Sequence, residues 1–323
     1  MPGRRVFISG VGGELGTLTA SLLEEEEWVG SIAGIDADPP RRRLMRTDYH
    51  RIPPTEHDRI VQTILQFDPH VLVHIGVWEP HSRAAPDLAK MLTDQAATSI
   101  LGAAAECPSL ESVIVRSGIE VYGRGPGSLS RPAETAPLSP TCQWGRTLAA
   151  IERTAASVGG RVGVTVGPVR FAPVLGRHIP SPFGRLLRMP AVPFRAFADP
   201  PFAVTENLDA ARALVAAARN RLSEPVNVVA PGAITALQAA RRGRRVPVPV
   251  LGPEWRLVTG LNHLAGAPVP PHVVETLSRG RLADNHRMEE LLGTTPEYTT
   301  TDVIDQIYGW PSVIRREARV KVA

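Results

Sequence analysis

Lysine is almost absent from this chain of 323 residues. The only lysines are Lys90 and Lys321, and all the other basic residues are arginines. Chemistry that depends on a lysine between these two positions is therefore excluded. The arginine excess does not indicate nucleic-acid binding, because 36 basic residues stand against 32 acidic ones and the formal net charge is only +4.

Cysteine, aromatic residues and long apolar runs are also scarce. Two cysteines, Cys107 and Cys142, are too few for a disulfide framework and predict a reducing environment. We expect no metal site, since neither the cysteines nor the nine histidines cluster as zinc ligands do. The aromatic content of 5% and the absence of aromatics among the basic clusters argue against nucleic-acid binding.

The sequence contains no membrane-spanning candidate. No apolar run approaches the roughly 18 residues that a spanning helix requires. The apolar stretch Val6–Ile8, which follows Arg4 and Arg5, is too short for a secretory signal. We therefore expect a cytoplasmic protein.

Short apolar runs alternate with helix-like segments through the first half of the chain. Strands are predicted at Val6–Ile8, Ser31–Ile35, His70–Ile75, Leu110–Val115 and Val162–Val169. Helices are predicted at Glu14–Glu27, His57–Gln66, Ala85–Glu106 and Arg146–Val158. This alternation is typical of an α/β fold with a Rossmann-type, doubly wound parallel sheet.

The pattern becomes irregular after Phe171, where prolines cluster. One helix, Leu208–Asn220, and one strand, Val226–Ala230, are still evident. We predict a Rossmann domain at residues 1–171. Residues 172–323 would form a smaller C-terminal substrate-binding part, with segments that return to the sheet.

A glycine-rich loop joins the first predicted strand to the first predicted helix. Gly10, Gly13 and Gly16 form a G-x-x-G-x-x-G pattern, with Glu14 and Leu15 inside it. Glycines allow a pyrophosphate to approach the backbone, and the N–H groups of a helix start favour its charge. The pattern predicts dinucleotide binding by these residues. The alternative is an ordinary turn between a strand and a helix.

Asp36 ends the second predicted strand. A carboxylate at this distance from a glycine loop typically hydrogen-bonds the ribose of NAD. The run Arg41–Arg43 offers charge for the 2′-phosphate of NADP, but Asp36 would repel that phosphate. We therefore predict NAD rather than NADP. The alternative is that Asp36 only caps a loop.

Six further segments complete a recognisable order of motifs. They are Arg46–Tyr49, Val73–Val77, Ile114–Gly123, the proline loop Pro132–Pro140, Arg170–Gly176 and Leu291–Tyr298. With the glycine loop, they cover most of the chain. The chain resembles the extended short-chain dehydrogenase/reductase family, which contains the nucleotide-sugar epimerases and dehydratases.

The resemblance implies NAD as cofactor, a nucleotide sugar or other small metabolite as ligand, and a homodimer. The dimer would form through the helices predicted at Ala85–Glu106 and from Arg146. Asp48 would contact adenine, and the strand beneath the cofactor would end in Ile75–Val77. The implied further cofactor-binding residues are Asp48, Tyr49, Ile75, Gly76 and Val77.

The catalytic positions of the family do not match. The family uses a Tyr-x-x-x-Lys pair and a Ser or Thr hydroxyl, and these positions hold Trp144, Leu148 and Gly118. No shifted alignment restores the pair, because none of the four tyrosines is followed four residues later by lysine. An indole cannot donate a phenolic proton, and leucine cannot supply the cation that lowers the pKa of tyrosine.

A few polar residues remain as catalytic candidates. Glu120 occupies the position of a glutamate that acts in the dehydratases of the family. Ser117 adjoins Gly118, but neighbouring strand residues point to opposite faces. For substrate contact the candidates are Arg279 and Arg281, by resemblance to the pyrophosphate-binding residues of the family. The cluster Arg241–Arg245 either grips an anionic partner or forms an exposed loop.

The residues at the family's catalytic positions, Gly118, Trp144 and Leu148, determine which function we predict from the sequence. We predict an NAD-binding pseudoenzyme or regulator that lacks standard hydride-transfer catalysis. The alternative is an atypical NAD-dependent nucleotide-sugar epimerase, dehydratase or reductase with non-standard catalytic residues.

Overall fold

A computed structural model describes residues 3–251, 255, 260 and 268–309. Its strands are β1 (Arg4–Ser9), β2 (Val29–Asp36), β3 (Thr47–Arg51), β4 (Val71–His74), β5 (Ser112–Gly118), β6 (Thr165–Phe171), β7 (Val174–Leu175), β8 (Ala191–Arg195), β9 (Thr205–Glu206), β10 (Val226–Val228) and β11 (Val246–Val250). Seven of them form a parallel sheet in the order β10-β6-β5-β4-β1-β2-β3. The predicted Rossmann-type, doubly wound sheet is confirmed.

Helices cover both faces of this sheet. They are α1 (Glu14–Leu23), α2 (His57–Phe67), α3 (Pro86–Ala104), α4 (Gln143–Val162), α5 (Pro182–Leu187), α6 (Asn207–Asn220), α7 (Ala236–Arg242), α8 (Pro271–Arg279), α9 (Arg287–Leu292) and α10 (Thr300–Gly309), with a 3₁₀ turn at Ile119–Tyr122. No helix of the described residues is both long and apolar enough to cross a membrane.

The side chains of the central strands alternate between two apolar layers. Phe7 on β1 and Leu72 on β4 face α2, α3 and α4, whereas the next residues, Ile8 and Val73, face α1 and α6. This alternation follows from the period of two in a strand, and both faces are covered, as expected of a parallel sheet. A third apolar cluster lies within the C-terminal part.

Helix α1 is shorter than predicted. It ends at Leu23 rather than at Glu27, and Glu24 is its C-cap. The carboxylate of Glu24 accepts hydrogen bonds from the backbone N–H groups of Met45 (2.9 Å) and Arg46 (2.7 Å). These donors compensate the unfavourable position of a carboxylate at the end of a helix.

The C-terminal part contributes to the main sheet. Strand β10 pairs with β6 in parallel, with Val226 opposite Val169. Helix α6 packs on the layer that contains Val73 and Ile114. The chain therefore crosses the predicted boundary at residue 171 and returns, and the division into two domains stays a prediction.

The strand order reverses beside β1, which lies between β2 and β4. In open α/β sheets, ligands bind at the carboxyl ends of the strands beside such a reversal. The residues that follow β1, β2 and β4 are therefore placed to contact a ligand.

Candidate functional site

A cleft of about 780 Å³ opens at the reversal point. Most of the cofactor-binding residues predicted from the sequence line it: Gly10, Gly13, Glu14, Leu15, Gly16, Asp36, Ile75, Gly76 and Val77. They come from the glycine loop, from the end of β2 and from the segment that follows β4.

At Gly10 and Gly16 the glycine loop is held against its neighbours so closely that a side chain is excluded. Gly10 has a φ of +82°, and a Cβ atom there would lie 2.6 Å from the nitrogen of Gly76. A Cβ atom on Gly16 would lie 2.0 Å from the carbonyl oxygen of Gly10. No side chain caps the start of α1 at Gly13. Its first N–H groups are therefore available to an anion in the cleft.

Asp36 lies at the far wall of the cleft. Its carboxylate accepts hydrogen bonds from the backbone N–H groups of Gly12 and Asp38, both at 3.0 Å. Burial raises the pKa of Asp36, although these two hydrogen bonds favour its charged form. Arg42, from the arginine run that follows, forms an ion pair with the buried Glu14 at 2.8 Å.

Asp48 and Tyr49 do not line this cleft. Asp48 lies opposite Ala33, part-way along the edge strand β3, where it is exposed and pairs with His50 at 3.2 Å. It therefore sits three residues before the carboxyl end of β3, at Arg51, away from the edge where ligands bind. The hydroxyl of Tyr49 donates to the carbonyl oxygen of Asp38 at 2.9 Å and so supports the rim of the cleft.

A second pocket, of about 500 Å³, adjoins the cleft. It brings together all five catalytic positions considered from the sequence: Ser117, Gly118, Glu120, Trp144 and Leu148. Glu79 and Arg116 line both the pocket and the cleft, so they lie where the two meet. Strand β5 supplies Arg116 and Gly118, which lie on the same face of the sheet because they are two residues apart.

The carboxylate of Glu120 fills the space of the missing hydroxyl side chain. A Cβ atom on Gly118 would lie 2.4 Å from Oε2 of Glu120 and 3.0 Å from Cδ1 of Leu148. Glu120 is 4% exposed, and no donor in the described part of the chain hydrogen-bonds its carboxylate. Arg116 interacts electrostatically with both Glu120 and Glu79, while burial lowers the pKa of Arg116.

An acid–base pair that the sequence did not predict lies beside Trp144. Nε2 of His272, on α8, lies 2.9 Å from Oε1 of Glu79, which follows β4. The rings of His272 and Trp144 pack with their centroids 6.0 Å apart. Because 193 residues separate Glu79 from His272, no local pattern in the sequence links them.

Ser117 belongs to a buried polar network behind the pocket. Its hydroxyl donates to Glu152, which also forms a two-pronged ion pair with Arg170, at 2.9 and 2.7 Å. Arg170 donates in turn to the hydroxyl of Tyr122 at 2.9 Å. The network joins α4, β5 and β6 and leaves the Ser117 hydroxyl engaged.

Neither Arg279 nor Arg281 lines the cleft or the pocket. Arg281 is fully buried and forms an ion pair with Glu275 at 2.6 Å, so its charge is already compensated. Arg279 donates to the carbonyl oxygen of Arg124 at 2.9 Å. Both arginines therefore stabilise the C-terminal part around α8.

The cluster Arg241–Arg245 is partly built into the fold. Arg242 forms an ion pair with Asp305 on α10, and the guanidinium of Arg245 lies 5.7 Å from the ring centroid of Tyr308. These contacts join α7 to α10.

A comparison with models of protein families shows to which family the chain belongs. Residues 6–228 match the model of the NAD dependent epimerase/dehydratase family. The chain belongs to this family. The matched region contains the residues that line the cleft, together with Gly118, Glu120 and Trp144.

Solved structures show the same fold. A UDP-glucuronic acid 4-epimerase from Bacillus cereus, in complex with NAD, is 17% identical with a TM-score of 0.69, over 94% of this chain and 97% of that one. A UDP-glucose 4-epimerase from Brucella ovis, also with NAD, is 18% identical with a TM-score of 0.72, over the same shares of the two chains.

Among sequence relatives, an uncharacterized protein of Mycobacterium tuberculosis is 27% identical over 317 residues, which cover 94% of this chain and 83% of that protein.

Proposed function

We propose that the cleft binds NAD. The glycine loop, the uncapped start of α1 and the carboxylate of Asp36 support this, since they offer contacts for a pyrophosphate and a ribose. Asp36 also favours NAD over NADP, because its charge opposes a 2′-phosphate. Arg42 does not offset this charge, since it is paired with Glu14.

Calorimetric titration of the protein with NAD and NADP tests this proposal. A Cβ atom on Gly13 would meet its nearest neighbour at an ordinary 3.5 Å, so Gly13→Ala should bind NAD normally. Gly13→Trp should fold but fill the cleft and lose NAD binding. Equal NAD affinity in the two variants would show that NAD does not bind in the cleft.

We further propose that the protein is an atypical NAD-dependent enzyme that acts on a nucleotide sugar or a similar metabolite. When bound, NAD would supply the chemistry of a two-electron oxidant, which accepts a hydride from a carbon atom of the ligand. The single observation that carries the proposal is the carboxylate of Glu120, which lines the pocket beside Arg116 and fills the space that a side chain at position 118 would need. A carboxylate that lines a pocket and forms no hydrogen bond within the described residues is placed to exchange a proton with a ligand.

The enzyme proposal is tested with UDP-glucose and UDP-glucuronic acid as probes, by NADH absorbance and by product analysis. Glu120→Gln should lower kcat about 100-fold, the usual range for loss of an acid–base group, with NAD affinity unchanged. Glu224→Gln, a matched change at an ion pair outside the pocket, should behave as the wild type. Wild-type activity in Glu120→Gln would remove Glu120 from the reaction.

The second candidate is the pseudoenzyme or regulator predicted from the sequence. The presence of Trp144 and Leu148 at the positions of the catalytic tyrosine and lysine favours it. Under this proposal, NAD and a nucleotide sugar bind and neither is converted. Binding of both probes to the wild-type protein without any product would support it against the enzyme.

We also propose a homodimer through α3 and α4. Leu88 and Met91 on α3 are 46% and 43% exposed in the single chain, although the predicted dimer helix would cover them. Leu88→Glu with Met91→Glu should convert a dimer to a monomer in sedimentation experiments. Leu65→Glu, on the exposed face of α2, is the control and should leave the dimer intact.

A further inference from the structure

The loop after β4 and the start of α8 meet at one hydrogen bond, between Glu79 and His272. The bond uses Oε1 of Glu79 and Nε2 of His272, at 2.9 Å. The side chain of His272 is 6% exposed and that of Glu79 is 19% exposed. Within the pair, the histidine is therefore nearly shielded from solvent, whereas the carboxylate remains partly accessible.

The open side of Glu79 faces both binding spaces. Glu79 lines the cleft and the pocket, and within the described residues only His272 hydrogen-bonds its carboxylate. Its second oxygen, Oε2, is thus available to a ligand. A group at this junction lies where a ligand in the pocket would meet a cofactor in the cleft.

Charged groups and an aromatic ring surround the pair. Arg116 on β5 interacts electrostatically with both Glu79 and Glu120. Glu275, on the same helix as His272, is already paired with Arg281. Trp144 packs against the His272 ring and excludes water from that side.

We propose that Glu79 performs the proton exchange that the missing tyrosine would perform, with His272 as its positioning residue. This inference rests on the proposed enzyme function. As a ligand alcohol is oxidised, its O–H bond breaks and the proton passes to Oε2 of Glu79. With NAD held in the cleft as the two-electron oxidant, the hydrogen of the neighbouring C–H bond would leave with its electron pair as a hydride, and a carbonyl group would remain. In the reverse direction, Glu79 returns the proton to the carbonyl oxygen.

His272 acts through Glu79. Its hydrogen bond fixes the carboxylate at the junction, and its ring can share the proton that the carboxylate receives. A purely structural clip between the loop and α8 is the alternative. The clip would contribute to stability but would not influence the pH dependence of catalysis.

Four variants separate the two roles. Glu79→Gln removes the proton acceptor but keeps the shape, Glu79→Asp keeps the carboxylate, and His272→Gln removes the ionisable ring. Glu56→Gln, in an exposed ion pair on α2, is the matched control. The probes are UDP-glucose and UDP-glucuronic acid with NAD, and the measurements are kcat, KM, NAD affinity, thermal unfolding and the pH profile of kcat.

We expect Glu79→Gln to lower kcat about 100-fold with KM and NAD affinity unchanged, and Glu79→Asp to retain part of the activity. His272→Gln should shift the pH profile of kcat. A second readout needs no turnover: the enthalpy of UDP-glucose binding to the NAD-loaded protein, compared between buffers of different ionisation enthalpy. Proton exchange on binding should occur in the wild type and in Glu56→Gln and disappear in Glu79→Gln.

Several results would overturn the inference. Wild-type kcat in Glu79→Gln would do so, as would a joint loss of NAD affinity and thermal stability, which indicates a structural clip. Equal proton exchange in all variants would also exclude it. If the wild type binds NAD and the probes but converts neither, the enzyme proposal fails and the inference falls with it. An active wild type with an equally active Glu79→Gln removes the inference alone.

Discussion

At the scale of single residues, Gly118 and Glu120 depend on the same space in the pocket. The side chain that is absent from Gly118 leaves the space that the Glu120 carboxylate occupies. The sequence named Glu120 as a remaining catalytic candidate, and the structure places its carboxylate in this space. The local sequence could identify both residues but not their contact.

Restoring the hydroxyl at this position should therefore fail. Gly118→Ser places a Cβ atom 2.4 Å from Oε2 of Glu120, and we expect about 1–3 kcal/mol of destabilisation, as for other overpacked sites. Combining it with Glu120→Ala should recover most of this loss in thermal unfolding. Gly102→Ser, where a Cβ atom meets nothing within 4 Å, is the control. Additive effects of the two pocket substitutions would contradict the shared volume.

His74 gives the protein a predictable response to acid. It is fully buried on β4, its Nδ1 lies 2.6 Å from Oγ of Ser9, and desolvation by burial lowers its pKa from 6.5 to about 4. Between pH 4 and pH 6.5, His74 is therefore mostly protonated in the unfolded chain and mostly neutral in the folded chain. The stability present above pH 6.5 is therefore lost as the pH falls towards 4. The loss amounts to about 3 kcal/mol.

Denaturant unfolding at a series of pH values measures this response. His74→Asn should flatten the pH dependence of the free energy of unfolding in that window. The exposed His178→Gln should leave it as in the wild type. An unchanged slope in His74→Asn would assign the acid response to other groups.

At the scale of elements, the buried pair Glu152–Arg170 fastens α4 to β6. Both side chains are nearly inaccessible, and the pair is linked to Ser117 and Tyr122. Glu152→Ala leaves the guanidinium buried without its partner, so we expect a loss of about 3–5 kcal/mol in the free energy of unfolding. Glu56→Ala, at the exposed pair with Arg59, should cost at most about 1 kcal/mol.

The double variant Glu152→Ala with Arg170→Met provides the internal check. It removes both charges, so it should be more stable than Glu152→Ala alone. If the double variant is the less stable of the two, the uncompensated charge is not the cause of the loss.

Elements with a strong local pattern were predictable. The strands and helices around the glycine loop follow from periodicity, because each buries its own apolar face. Helix ends were less accurate: α1 ends at Leu23, since Glu24 finds donors in a segment twenty residues away. The role of α8 could not be predicted, since His272 meets Glu79 only after the chain has folded.

At the scale of the whole molecule, the two predicted domains share one sheet and one core. Strand β10 adds to the edge of β6, and α6 covers Ile114 and Val169. A fragment of residues 1–171 should therefore expose this layer and an unpaired strand edge. We expect it to aggregate or to lack a cooperative thermal transition, whereas the full chain unfolds cooperatively.

Calorimetry and light scattering on the fragment check this expectation. A fragment of residues 1–230, which retains β10 and α6, is the comparison and should be the more soluble of the two. A monomeric 1–171 fragment that unfolds cooperatively would establish the predicted boundary as a true domain boundary.

The same scale explains which parts of the site were predictable. The cleft is built mainly from segments that each carry a local signal, such as the glycine loop and the end of β2. The pocket combines a loop, two strand ends and the start of α8, whose spacing along the chain is arbitrary. Composition could exclude the Tyr-Lys pair, but only three-dimensional proximity could identify Glu79, Arg116 and His272.

The shared volume of Gly118 and Glu120 also limits how this site could change over evolutionary time. A single substitution that returns serine to position 118 meets the Glu120 carboxylate, and a single loss of Glu120 leaves a void beside Gly118. Each first step back towards a hydroxyl is therefore penalised before the second can compensate it. Single substitutions would therefore more readily alter the carboxylate site than introduce a hydroxyl side chain at position 118.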